Sequence, residues 1–109
     1  MTFSIEGEPR PIPPTLAHHA ARIAQEALSN ALRHSGARAV TVTLVFAPHR
    51  LGLRLHDNGQ GFEPTRAAGP ASGHFGLNGM KRRAARLGGI LTIESNATGT
   101  TITLEAALP

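Results

Sequence analysis

From Val40 to His56 apolar side chains alternate with polar or small ones, and this alternation constrains the fold more than any other feature of the chain. Val40, Val42, Leu44 and Phe46 share one side, with Thr41, Thr43 and Val45 on the other. Leu51, Leu53 and Leu55 repeat the pattern against Gly52, Arg54 and His56, and APHR lies between the two runs. A period of two is that of a half-buried strand, so the segment predicts a hairpin with one apolar face. That face must be covered by something else in the chain.

The cover is supplied by two segments of helical period. The first runs from about Thr15 to Arg33 or His34, after Pro11, Pro13 and Pro14 and before the break at SGA. Ala17, Ala21, Ala24, Leu28, Ala31 and Leu32 form its expected apolar arc, and Arg22, Gln25 and Ser29 its polar side. The second runs from Gly76 or Leu77 to Leu87 and stops at Gly88 and Gly89. Phe3 to Ile5 reads as a short strand, and Ile90 to Ser95 and Thr100 to Leu108 as two more. The last should turn Ile102, Leu104, Ala106 and Leu108 inward and Thr101, Thr103 and Glu105 outward. The expected fold is a two-layer α/β sandwich, a mixed β-sheet with helices packed on one face and solvent on the other. With 109 residues and no internal repeat, residues 1–109 should form a single domain. A ligand must then lie between the helix layer and the loops around it.

Composition narrows the function classes. The chain has no cysteine, which removes disulfides and thiolate metal sites and fits a reducing, cytoplasmic setting. The start, MTFSIEGEPRPIPP, lacks the pattern of a signal peptide, and no stretch approaches the ~20 apolar residues of a membrane span. Eleven Lys and Arg against seven Asp and Glu give a formal net charge of +4, which favours an anionic partner. Lys81, Arg82, Arg83 and Arg86 are the only basic cluster in the sequence, and the four Phe are not interleaved with it as a base-stacking platform. A phosphate-bearing small molecule suits the charge as well as nucleic acid does.

Three stretches carry candidate chemistry. In EALSNALRHS, Glu26, Asn30 and His34 drift by only about 40° per step around a helix, with Arg33 beside them, so they share one stripe. A solvated helix face explains that stripe equally well. In HDNGQGF, Asp57, Asn58 and Gly59 are turn formers, yet a glycine- and proline-bearing loop follows from Gly59 to Gly73 where a simple hairpin needs a strand. Asp57 there is an acceptor-only carboxylate that suits the amino group of adenine, and Gly59 and Gly61 let a flat ligand approach the backbone. In SGHFGLNGMKRRAARLGG, Gly73, Gly76 and Gly79 precede or open a helix, an arrangement that aims N–H groups at phosphate or serves as a plain linker. No Walker motif and no GxGxxG fingerprint occurs. His18, His19 and His49 lack metal-ligand spacing, and His56 sits at a strand end, unlike a phosphoacceptor on a helix.

These three stretches, with GTTITL from Gly99 to Leu104, resemble in order and spacing the N, G1, G2 and G3 boxes of the GHKL superfamily of ATP-binding domains. More narrowly, they resemble the catalytic domain of bacterial sensor histidine kinases that pair with NarL/LuxR-type response regulators. Arg82 departs from that group, which often has an acidic residue there. The resemblance implies ATP and Mg²⁺ as cofactors. Asn30 would supply an oxygen to Mg²⁺, and Glu26 would orient a metal-bound water or act as a base. Arg33 and His34 would lie toward the triphosphate. Asp57, Gly59, Gly61 and Phe62 would shape the adenine pocket, with Thr100 and Thr101 lining the base side. His74, Phe75, Gly76, Leu77, Gly79 and Met80 would end a lid over the phosphates.

The implied partner is a helical dimerization domain bearing the acceptor histidine, expected to precede this chain. No nucleic acid or membrane contact is expected of the domain itself, although a full-length kinase can carry an anchor elsewhere. Two other classes stay open. One is a stand-alone GHKL ATPase or serine-kinase module of the gyrase, mismatch-repair or anti-sigma-factor type, and the other is a binding module without catalysis.

Overall fold

The computed structural model describes residues 1–33, 36–59 and 77–108, with the Arg33 side chain outside the described set. Along the chain come β1 (Thr2–Gly7), α1 (Pro14–Arg33), β2 (Val40–Ala47), β3 (Arg50–Asp57), α2 (Leu77–Arg86), β4 (Ile90–Asn96) and β5 (Gly99–Ala107). The strands form one five-stranded sheet in the order β1-β2-β3-β5-β4. β1 runs parallel to β2, a pairing that needs a crossover, and α1 provides it. The other three pairings are antiparallel, so the sheet is mixed, as expected.

Period-two alternation fixes which residues meet the helices. Val40, Val42 and Phe46 of β2, Leu51, Leu53 and Leu55 of β3, and Ile102, Leu104 and Ala106 of β5 are all buried. On the far face Arg50 pairs with Glu105 at 3.0 Å, and Ser4 and Thr43 share a hydrogen bond of 3.2 Å. The hairpin turn is shorter than the sequence implied, because β2 extends to Ala47 and β3 begins at Arg50. β1 likewise extends beyond Phe3 to Ile5 at both ends.

The buried arc of α1 differs from the expected one. Leu16, Ala20, Ile23, Ala27, Asn30 and Ala31 are buried, whereas Ala17 and Ala21 are exposed and Leu32 is 61% exposed. The helix therefore packs through a line centred on Ala27, rotated toward the stripe that carries Asn30. The cause is Ile23, the one isoleucine among the alanines, which is 1% exposed and outweighs them in apolar area. Ala24 and Leu28 remain packed at the margin of this core.

Helix ends follow local chemistry. Pro14 opens α1, where a missing N–H costs nothing, and the Pro13 carbonyl accepts from Ala17 N at 3.0 Å. Two residues past the end of α2 comes Gly88, whose φ of 64° suits a residue without Cβ. Gly88 N donates to the Ala85 carbonyl at 3.0 Å and Gly89 N to that of Ala84 at 2.9 Å, closing the last turn. Among the described residues no helix is long and apolar enough to cross a membrane.

Ile23 anchors the helix layer to the sheet, so Ile23→Ala should lower unfolding free energy by about 2–4 kcal/mol. Urea denaturation followed by circular dichroism measures it, and a loss below about 1 kcal/mol would show that α1 is anchored elsewhere.

Candidate functional site

One end of the core is polar. The buried polar or charged side chains among the described residues are Asn30, Thr43, Asp57 and Thr100, and all but Thr43 lie on the helix-facing side of the sheet or on the helix against it. Asn30 is 3% exposed in the last turns of α1, next to Ala31, which packs in the same cluster as Val40, Leu55, Leu77 and Met80. Asp57 is 2% exposed at the end of β3 and pairs in register with Val40 on one side and Thr100 on the other. The start of α2, the end of α1 and the end of β3 therefore converge.

Local hydrogen bonds set the Asp57 loop. Asp57 Oδ1 accepts from Gly59 N at 2.8 Å, which leaves a carboxylate with acceptor capacity to spare. Asn58 Oδ1 accepts from both Arg38 N and Ala39 N at 2.9 Å, and Asn58 N donates to the Ala39 carbonyl at 3.2 Å. Asn58 thereby clamps the segment that enters β2 to the loop that leaves β3. In sequence Asn58 is indistinguishable from a turn former, and the DNG triplet carries no other signal. Gly99 completes the arrangement, since a Cβ there would collide with the Asp57 carbonyl oxygen. Thr100 Oγ1 hydrogen-bonds Ser95 Oγ at 2.7 Å.

Of the two threonines expected to line the base side, only Thr100 turns its side chain to this face. Thr101 lies on the opposite face by strand alternation, paired with His56 through a 2.8 Å bond from Nδ1 to Oγ1. Glu26 is half-buried and lines a cavity of about 140 Å³ with Arg22, Gly79, Met80 and Arg83. Leu77 and Met80 are buried and act as core, each 1% exposed. Of the remaining expected site residues, His34, Gly61, Phe62, His74, Phe75 and Gly76 lie outside the described residues, as does the Arg33 side chain.

A larger cavity, about 580 Å³, lies on the other face of the sheet over Val45, Gly52 and Arg54. It is remote from Asn30 and Asp57, and the buried polar groups rather than cavity size mark the site. The donor set suits a magnesium nucleotide. Among the described residues no group of three His, Cys, Asp or Glu side chains could cage a metal. A hard cation that keeps waters and rests on phosphates needs only one or two protein oxygens, and Asn30 offers one.

Comparison with known proteins fits this arrangement. Residues 15–109 match the model of the family described as histidine kinase-, DNA gyrase B-, and HSP90-like ATPase. The chain belongs to this ATPase family. It is 39% identical over 107 residues to the sensor histidine kinase LnrJ of Bacillus subtilis, covering 97% of this chain and 25% of LnrJ. With the sensor histidine kinase LiaS of the same organism it shares 44% identity over 77 residues, covering 71% of this chain and 21% of LiaS. The chain thus spans about a quarter of the length of these curated relatives. The histidine kinase domain of a blue-light activated histidine kinase from Erythrobacter litoralis superposes with a TM-score of 0.72 at 19% identity, covering 98% of this chain and 54% of that one. That likeness concerns the fold, the GHKL α/β sandwich.

The Asn58 clamp is testable within this ATPase domain. Asn58→Ala leaves two backbone N–H groups to water and should cost about 1–2 kcal/mol, whereas Asn58→Asp keeps the acceptor oxygen and should retain most of that. Equal losses by urea denaturation would show that the oxygen is not what holds the loop.

Proposed function

We propose that this chain is the nucleotide-binding catalytic half of a two-component sensor kinase, which transfers the γ-phosphoryl group of ATP to a histidine on a helical dimerization domain. The observation that carries the reading is the buried trio of Asn30, Asp57 and Thr100 at the mouth between α1, α2 and the sheet. Support comes from the family match over residues 15–109 and from the sensor kinases among the relatives.

Each residue then has a part. Asp57 accepts from the adenine amino group, where the guanine oxygen would oppose a second acceptor. Gly59 and Gly61 let the base lie against the backbone, with Phe62 beside it and Thr100 at its edge. Asn30 would hold Mg²⁺ by its side-chain oxygen, and Arg33 and His34 would lie toward the phosphates. The segment before α2, residues 74–76, would close over them, with backbone N–H groups near Gly76 and the start of α2 available to the negative charge. When bound, Mg²⁺ neutralises charge that builds on the phosphoryl oxygens. The protein's contribution is then positioning, with Glu26 set to orient water or take a proton.

The acceptor histidine is supplied by the dimerization domain, and a NarL/LuxR-type regulator would take the phosphoryl group onward. Residues 1–109 act as one catalytic unit in this scheme. A second reading, a stand-alone ATPase, is favoured by one observation: Glu26 lines a cavity beside Gly79 and Met80, where it could activate water.

Radiolabelled ATP separates the two. The chain alone should hydrolyse ATP slowly and remain unlabelled, and adding the kinase's own helical domain should produce phosphohistidine on that domain. Asn30→Ala should lower the transfer rate about a hundredfold. Rapid hydrolysis by the chain alone that collapses in Glu26→Gln would establish the ATPase and overturn the kinase reading.

A further inference from the structure

The positive charge of the chain is concentrated in the helix layer. α1 and α2 together carry Arg22, Arg33, Lys81, Arg82, Arg83 and Arg86, against Glu26 as their only acid. The rest of the sequence holds the other six acids and five basic residues, and on the outer sheet face Arg50 is neutralised by Glu105 at 3.0 Å. In the helix layer Glu26 alone faces these cations, lining the same cavity as Arg22 and Arg83, and no acidic residue occurs in α2.

The two helices lie antiparallel, with Arg83 of α2 beside His19 of α1 and Gly79 beside Glu26. The groove between them opens into a cavity of about 140 Å³, with Arg22 on one wall and Arg83 on the other. Gly79 adds no side chain to it, and a Cβ there would meet nothing within 4 Å. Arg83 Nη1 donates to His19 Nδ1 at 3.3 Å, since a guanidinium has no acceptor, so His19 is neutral in this geometry. Loss of hydration, then His18, Arg83 and Arg86, hold the His19 imidazole below its usual pKa. Arg83 and Arg86 add to that lowering, and an anion seated beside them would oppose their part of it.

We propose that the groove between α1 and α2, walled by Arg22 and Arg83 and flanked by Arg86, is a docking surface for an acidic helical segment of a partner protein. A groove between two helices accommodates a third, and its carboxylates would reach Arg22 on one wall and Arg83 on the other, with Arg86 close by. Other polyanions fit less well. α2 is ten residues long and is flanked by the twenty residues of α1, so it cannot enter a DNA major groove as a protruding helix. Neither helix carries an aromatic residue to stack a base. Among the described residues of α1 and α2 the only exposed large apolar side chain is Leu32, too little apolar surface to hold the helices in a bilayer.

The test uses the 109-residue chain and a helical peptide of Glu and Ala, its Gln and Ala counterpart, a short DNA duplex, and phosphatidylglycerol vesicles. The Glu peptide should bind in a salt-sensitive manner and the Gln peptide should not. Arg83→Gln with Arg86→Gln should weaken the Glu peptide about fivefold or more, Arg22→Gln on the other helix about twofold, and Arg83→Lys least. ATP affinity should be unchanged in all of them, which shows that the fold is intact. The His19 resonance should titrate at higher pH when the Glu peptide is bound. Equal peptide affinity in wild type and the double variant, or tighter variant-sensitive binding of the duplex or the vesicles than of the peptide, would overturn the proposal.

Discussion

A carboxylate buried at the rim of an apolar core is the constraint on which the rest of this structure depends. Burying an unpaired charge costs several kcal/mol, so Asp57 at 2% exposure is tolerable only where its oxygens find donors. The chain answers locally. β3 stops at Asp57, the loop turns so that Gly59 N reaches Oδ1, and Asn58 pins that turn to the start of β2. β5 begins at Gly99 because a side chain there would push against the Asp57 carbonyl. Three strands thus end or begin around one group, which is costly to keep unless a ligand uses it.

α1 joins that site to the stability of the fold. The same turns that bury Ala27 and Ala31 bury Asn30, so the amide is held by the helix that covers the sheet and needs no separate support. Glu26, one turn earlier, is only half-buried and reaches the cavity shared with α2. Positioning by a rigid, core-packed helix suits phosphoryl transfer, where the protein's work is orientation and charge compensation. The outer face of the sheet has different chemistry, with Arg50, Glu105, Ser4 and Thr43 satisfying one another.

Much of this was legible in the residues. Period-two runs gave the hairpin and the inward side of β5, because alternation on a one-sided sheet leaves no second choice of face. The four boxes gave the family, since their order and spacing are harder to meet by chance than any single motif. The apolar arc of α1 was read too far round: alanines on every side make the pattern weak, and a single isoleucine set the contact. Thr101 was grouped with Thr100 by adjacency, whereas neighbours in a strand face opposite ways. Asn58 was hidden because a residue that accepts from the backbone across a fold looks like any turn asparagine. The crossing of α2 against α1, which gathers the cations, is tertiary and leaves no trace in local periodicity.

Nucleotide should enter at the Asp57 end and not in the larger cavity on the outer face of the sheet. Amide chemical shifts recorded during titration with Mg-ADP distinguish the two. The largest changes should fall at Asn30, Asn58, Gly59, Leu77 and Thr100, with Val45, Gly52 and Arg54 unmoved. Changes centred on Val45, Gly52 and Arg54, with Asn30 and Gly59 silent, would contradict it.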